Sequence, residues 1–323
     1  MRKATKIWLV SAALLVVLGI TAFAGVMTSC GWDFSKLSTV KYETNTYEIT
    51  DSFNSIRVDV DTADIAFIAS TDGKCKVVCR ENANDTHRVA VENSTLSVTN
   101  PTDVQKWYEH ININIGSPLI EIYLTDEHYD SLYARTSTGD VGVGESVKFG
   151  DVEIKVSTGN VYCRTPEANN IKISASTGNI HISNVKAESI SASASTGNTV
   201  LTQVSCSSDI MMSATTGDVE MTDVSCKNLT STGSTGEIEA ERLIVTGKIT
   251  VERSSGDVTL DESDAGEIYI KTKTGDVECE FLTDKSITAT TSTGDVEIPR
   301  DSVGGKCEIK TSTGDIEVEV LRK

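Results

Sequence analysis

Six carboxylates recur along the second half of the chain at near-constant spacing: Asp218, Glu237, Asp257, Asp276, Asp295 and Asp315. If the intervening segments stack, neighbouring carboxyl groups fall about 4.8 Å apart, the usual strand spacing. Such a ladder repels itself, and a bridging calcium ion is the chemistry that would relieve it. The plainer reading is that each side chain caps its own turn in solvent. The glycine-rich nonapeptide of calcium-binding repeats is absent from the sequence and the coil length differs, so no metal ligand is assigned.

Cysteine and histidine are the other residues with chemistry to offer. Of eight cysteines, Cys206 and Cys226 hold equivalent places in adjacent repeats, within reach of a disulfide if the repeats stack; the alternative is two stacked thiols. Cys163 and Cys279 share one column but lie six repeats apart, roughly 29 Å at the strand spacing, and with Cys307 they read as small buried hydrophobes. Cys75 and Cys79 sit four apart on one strand face, about 13 Å from each other and too far to bond. The spacings match no zinc motif. The histidines, His87, His110, His128 and His181, are scattered, and His181 alternates outward between Ile180 and Ile182. There is no nucleophile elbow, phosphate-binding loop or metalloprotease helix. A polysaccharide-active β-helix enzyme would need carboxylates clustered with basic residues on one outer face. Arg253 and Lys273 are instead isolated breaks in otherwise Ser/Thr positions. No catalytic, cofactor-binding or metal residue is assigned, no cofactor is expected, and the expectation is a protein that is not an enzyme.

The carboxylates belong to a larger pattern that must position them. Ten glycines, Gly139, Gly159, Gly178, Gly197, Gly217, Gly236, Gly256, Gly275, Gly294 and Gly314, follow one another at an almost unvarying period. Each is preceded by Thr or Ser and followed by Asp, Asn or Glu. Glycine tolerates positive φ and Asx side chains bond to nearby backbone, so each copy carries one tight turn at a fixed corner. Two residues after the glycine comes an apolar column that includes Val141, Val161, Ile180, Val219, Val258 and Val296. Further apolar columns lie four after, five before and seven before the glycine. They alternate with polar residues at period two, the strand signal. A single 19-residue coil cannot bury its apolar face alone, so neighbours must stack. The fold class is therefore all-β, a parallel β-solenoid of 19–20-residue coils; right-handed is the default for parallel crossovers. A sandwich or propeller is the competing architecture, and propeller blades need longer repeats.

Residues 136–323 hold the solenoid, and residues 46–135 read as an irregular β segment or cap over an otherwise open end. Strand-like runs there are Ser55–Val60, Asp64–Ala69, Lys74–Arg80, Arg88–Val91, Thr95–Thr99, His110–Ile115 and Leu119–Thr125. Thr62-Ala63-Asp64 resembles the turn with alanine for glycine, four repeat periods before Gly139. At the other end the last run, Asp315–Leu321, finishes in Arg322 and Lys323, charges that discourage edge pairing.

Residues 7–27, Ile7 to Met27, carry no charge and as a helix span roughly 31 Å, a bilayer core. Arg2, Lys3 and Lys6 precede them, which places residues 1–6 in the cytoplasm and the bulk of the chain outside, as a single-pass cell-membrane protein. A cleaved signal peptide ending near Ala22-Phe23-Ala24 and a lipoprotein modified at Cys30 are the alternatives. Residues 28–45 serve as a tether. The net charge of −18 argues against nucleic acid and against docking on anionic lipid.

The order of these elements resembles the bacterial "putative adhesin" β-strand-repeat family of unknown function. The likeness is carried by the hydrophobic N-terminus, the irregular β segment and the repeated turns Ser292-Thr293-Gly294-Asp295-Val296 and Ser312-Thr313-Gly314-Asp315-Ile316. The resemblance implies a β-solenoid at the cell envelope and brings no catalytic or ligand residues with it. Two functions are expected from different classes. One is a surface binding, adhesin-like or scaffold module that contacts a cell-surface glycan or protein. The other is an envelope-stress accessory or sensor that partners with membrane proteins. The oligomeric state is not legible.

Overall fold

A computed structural model of the protein describes residues 3–33, 41–83, 86–100, 118–126, 128–300 and 303–321. Lys3–Ser29 forms one helix, and within it Trp8–Ser29 is long and apolar enough to cross a membrane, with a mean hydropathy of 2.5. Every regular element described after it is a β-strand. The strands build a β-solenoid whose coils stack in parallel and in register: Ile154 pairs with Ile173, Ile173 with Ala192, Ala192 with Met212. Val141, Val161, Ile180, Val219 and Val258 line the interior, each fully buried.

The corner explains the period. All ten repeat glycines hold φ between +130° and +144°. A Cβ at any of them would lie 1.9–2.2 Å from the corner carbonyl oxygen of the adjoining coil. Glycine is thus required twice, once by its dihedral and once because backbone stacks directly on backbone. Wherever a further coil lies beyond it, the glycine N–H donates to the Thr or Ser carbonyl of that coil, as from Gly159 to Thr177 at 2.9 Å and from Gly236 to Ser255 at 3.1 Å.

Sequence order and stacking order agree from Gly139 to Gly275 and then part. Ile268 and Ile270 pair with Cys307 and Ile309, and those two pair with Ile287 and Ala289. The coil of Gly314 therefore sits directly on that of Gly275, and the coil of Gly294 is outermost. This corrects the expectation that successive segments always pile on one another, and the expectation that Asp315–Leu321 forms the end. Arg322 and Lys323 lie outside the described residues. Val296, on the outermost coil, is 42% exposed, whereas Ile316, one coil inward, is buried.

The other end shows the same inversion. Ser55–Thr62 and Asp64–Ala69 form a coil that stacks on the Gly139 coil, with Val58 against Ala134 and Ile65 against Val141. Thr62-Ala63-Asp64 is the first corner, and the long stretch between it and Gly139 returns the chain to a neighbouring layer. Beyond it lie Thr95–Thr99 and Leu119–Leu124, parallel to that coil. Antiparallel strands then cover the edge: Lys76–Asn82 on Leu119–Leu124, Tyr42–Glu48 on Lys76–Asn82, and Arg88–Glu92 on Thr95–Thr99. The expected run His110–Ile115 lies outside the described residues.

Among the described residues the solenoid also buries polar side chains, among them Thr199, Ser231, Lys285 and, in one inner file, Thr136, Thr272 and Arg253. Arg253 is only 4% exposed, not an outward break like Lys273. It occupies an inner file, three before the corner, and its guanidinium fills the space left by Gly233 in the preceding coil. From there Nη1 donates to the carbonyl oxygen of Ala214 (3.1 Å) and Nη2 to Ser231 Oγ (3.3 Å). Burial lowers its pKa, opposed by the charge of Asp218.

Candidate binding surface

The residue after each corner glycine does not cap its own turn. Its side-chain oxygen accepts the backbone N–H of the equivalent residue in the next coil. Asp140 Oδ1 accepts from Asn160 N at 2.7 Å, Asn160 from Asn179 at 2.9 Å, Asn198 from Asp218 at 3.0 Å and Asp218 from Glu237 at 2.9 Å. The series follows the stacking order at the end, with Asp276 accepting from Asp315 (2.8 Å) and Asp315 from Asp295 (2.7 Å). Asp64 begins it by accepting from Asp140 N at 2.9 Å. The acidic column is thus an inter-coil brace. It explains why Asn and Asp interchange there, since both offer a carbonyl-type oxygen, and why the longer Glu237 is an exception.

A second set of carboxylates has no such structural duty. Three and five residues past the corner, side chains point outward from the short strand of each coil. In the early coils these places hold Gly142, Tyr162, His181 and Val200, then Gly144, Arg164, Ser183 and Thr202. The Tyr162 and His181 rings stack with centroids 5.1 Å apart. From the Gly217 coil onward the same face turns acidic: Glu220, Glu239, Glu278 and Glu317 in one file, Glu241, Asp261, Glu280 and Glu319 in the next. Parallel pairing sets them side by side, Glu239 by Thr259, Thr259 by Glu278, Glu278 by Glu317. They line a shallow depression of about 430 Å³ floored by Ala240, Leu260 and Cys279. Glu280 shows the crowding: a hydrogen bond with the Asp261 carboxyl, then burial and the charges of Asp261, Glu262 and Glu319, raise its pKa. This face concentrates negative charge on a flat, regularly spaced surface, which attracts cationic groups electrostatically.

The cysteines divide by environment. All eight are free thiols, including Cys206 and Cys226; Cys206 Sγ donates to the Glu188 carbonyl oxygen at 3.1 Å. Cys163 and Cys307 are held in the interior, where burial pushes each thiol up to about 12. His181 lies in the outward file, as its alternation with Ile180 and Ile182 requires. The outward acidic files carry a sequence signal that the apolar columns overshadow: the acids keep the same phase to the glycine as the valines do.

The family model described as Toastrack DUF4097 matches residues 53–214 and 188–323. Among solved structures, a "putative lipid binding protein" from Parabacteroides distasonis is similar over 87% of this chain and 97% of its own, at 18% identity and a TM-score of 0.50. A "putative adhesin" from the same organism is similar over 86% of this chain and 98% of its own, at 11% identity and a TM-score of 0.49. No curated protein matches the chain. The first of these likenesses concerns the fold alone. The family match takes in the capped end, the ten glycine corners and the outermost coils together, and this chain belongs to the Toastrack DUF4097 family.

Proposed function

We propose that the protein is a non-enzymatic binding module held at the outer face of a cell membrane, its solenoid displaying long regular faces to a partner. The observation that carries this reading is the outward face of the short strands. It changes from neutral and aromatic at Tyr162 and His181 to densely acidic at Glu239, Glu278 and Glu317, with its spacing fixed by parallel register. A patterned surface on a stiff support suits recognition of an extended ligand such as a glycan or a protein segment. In this proposal the apolar residues 7–27 of the helix Lys3–Ser29 are the anchor, residues 1–6 lie in the cytoplasm, and the tether runs from residue 28 to the first cap strand, Tyr42–Glu48. The cap strands and the coil Ser55–Ala69 then form the base, and the coils from His128–Thr138 onward the displayed solenoid.

Site-specific photocrosslinking in intact cells tests the reading. Crosslinkers replace Glu239 and Glu278 on the acidic face, and Ser193 and Ser213 on the hydroxyl-rich face of the strands that precede the corner. The expected result is a discrete adduct from the acidic face of the full chain. Equal, diffuse labelling from both faces would contradict it. The apolar helix favours a second reading, an envelope-stress accessory. That reading expects the adduct to be an integral membrane protein, lost when the helix is replaced by a cleavable leader.

A further inference from the structure

The antiparallel cap contains a cluster that the binding role does not use. In the strand Lys76–Asn82 alternation turns Val77, Cys79 and Glu81 inward. Cys79 is fully buried and Glu81 is 1% exposed. The His87 side chain, from the segment leading into Arg88–Glu92, closes over them and is 8% exposed. One ligand atom from each of these three residues lies within 4.8 Å of the other two, the only such trio of His, Cys, Asp or Glu among the described residues.

The surroundings hold this trio in place. Glu81 Oε2 accepts the His87 backbone N–H at 2.6 Å and lies 2.6 Å from His87 Nδ1. Its Oε1 accepts from Asn45 Nδ2 at 2.8 Å and from Tyr47 Oη at 3.3 Å, both on the neighbouring strand Tyr42–Glu48. A satisfied buried carboxylate accounts for Glu81 and His87, but it gives Cys79 nothing to do. The Cys79 thiol makes no hydrogen bond among the described residues. It differs from Cys163, which sits among the apolar files of the solenoid, in having an imidazole and a carboxylate beside it.

One thiolate, one imidazole and one carboxylate form a mixed set suited to a borderline divalent ion, whereas calcium and magnesium favour oxygen-only shells. We propose that the cap binds one zinc-class divalent ion through Cys79 Sγ, a Glu81 carboxylate oxygen and a His87 ring nitrogen, with a fourth position left for water. On binding, the Cys79 S–H bond breaks, its proton passes to solvent and a metal–sulfur bond forms. The His87 nitrogen that faces Glu81 exchanges that hydrogen bond for the ion, and the ring proton resides on the other nitrogen. Asn45 and Tyr47 are positioning residues that orient Glu81. The ion would tie together the strands Tyr42–Glu48 and Lys76–Asn82 and the lead into Arg88–Glu92, three segments that close the solenoid's end.

The test uses the full chain in detergent, stripped with a chelator and kept reduced. Cobalt(II) serves as the optical probe and zinc(II) as the calorimetric one. The expected result is one ion per chain, a thiolate-to-cobalt charge-transfer band and a rise in Tm with zinc. Cys79→Ser abolishes the band and weakens zinc binding by at least about tenfold. His87→Gln, nearer the surface, weakens zinc binding likewise and serves as the reporter if Cys79→Ser does not fold. Cys75→Ser and Cys30→Ser leave band and affinity unchanged. No band in the native chain, a band that survives Cys79→Ser, or an equal zinc-induced Tm rise in His87→Gln would each overturn the proposal. The acidic-face crosslinking result is unaffected by any of these outcomes.

Discussion

The two ends of the solenoid are finished differently, although both are built by the same inversion. At each end a coil nearer the chain terminus is tucked one layer inward, and a coil from deeper in the sequence lies outside it. At the base the coil Ser55–Ala69 is covered by Thr95–Thr99 and Leu119–Leu124, then sealed by antiparallel strands. At the far end the Gly314 coil is enclosed by that of Gly294, and nothing among the described residues pairs with the outer edge of Lys285–Thr290. At the far end the outermost coil runs on into the Gly314 coil and is held at both of its own ends, whereas at the base the outermost strand is Tyr42–Glu48, paired with Lys76–Asn82 alone among the described residues. The difference lies in what covers the last apolar face. Val98, in the outer layer of the base, is fully buried, whereas Val296, in the outer layer of the far end, is 42% exposed. Of the two strands on the exposed far edge, Lys285–Thr290 has six residues and Val296–Glu297 only two; the shorter is followed by Ile298-Pro299, and a proline blunts pairing with another chain.

This contrast can be broken by mutation. The largest effect is expected at the corners. Gly139→Ala would place Cβ 2.0 Å from the Ala63 carbonyl oxygen at φ +136°, inside a stack fixed on both sides. Urea denaturation should show a loss of about 3 kcal/mol or more, since overlap and strained dihedral add. Gly294→Ala meets the Gly314 carbonyl oxygen at a similar 2.2 Å, but its coil has a neighbour on one side only and can shift outward. Its loss should be clearly smaller, and equal losses would mean that the far end is as confined as the base.

The core gives the next largest difference. Val58→Ala removes fully buried methyl groups between Val98 and Ala134 and should cost about 2 kcal/mol, whereas Val296→Ala should stay within about 0.5 kcal/mol. Midway between the ends, Gly233 and Arg253 share one space. Gly233→Ala should cost about 2 kcal/mol, and adding Arg253→Thr, the type found at Thr272 in that file, should restore part of it. Simple additivity of the two substitutions would contradict the packing described.

The smallest effect is expected on the acidic face. The folded-state pKa of Glu280 is raised, chiefly by the Asp261 carboxyl. A group whose folded pKa is raised contributes stability when protonated, and loses that contribution as pH rises through the folded value. At neutral pH the native chain therefore carries unrelieved repulsion there. Glu280→Gln should raise Tm slightly at pH 7 and flatten its dependence as pH falls into the carboxylate range. A lower Tm at pH 7 would show that the pair is not repulsive.

Much of this architecture is legible in the sequence because each column repeats ten times with one phase. The valines two past the glycine and the glycine itself announce inside, corner and register. The order of the end layers is not legible, for a physical reason: every coil presents the same columns, so Ile270 fits Ile309 as well as Ala289. Ala63 can be recognised as a corner, but its adjacency to Gly139 depends on where the intervening chain returns. The brace formed by Asp140, Asn160 and their successors is hidden because a turn-capping side chain can serve its own coil or the next. Arg253 reads as an outward break because charge normally faces water; the contrary signal is Gly233 one coil earlier in the same inner file. The trio Cys79, Glu81 and His87 comes from two cap segments that lie outside the repeats, so no repeat marks it.

The claim that stacking order departs from sequence order can be tested by engineered disulfides. Tyr269 lies beside Glu308, and Glu308 lies beside Thr288, in outward-facing register. Simple sequential stacking would put Tyr269 beside Thr288 instead. In a chain whose native cysteines are replaced by serine or alanine, Tyr269→Cys with Glu308→Cys should oxidise readily to an internal disulfide. Tyr269→Cys with Thr288→Cys should remain reduced under the same conditions. The reverse outcome would contradict the interleaved end and restore a solenoid wound strictly in chain order.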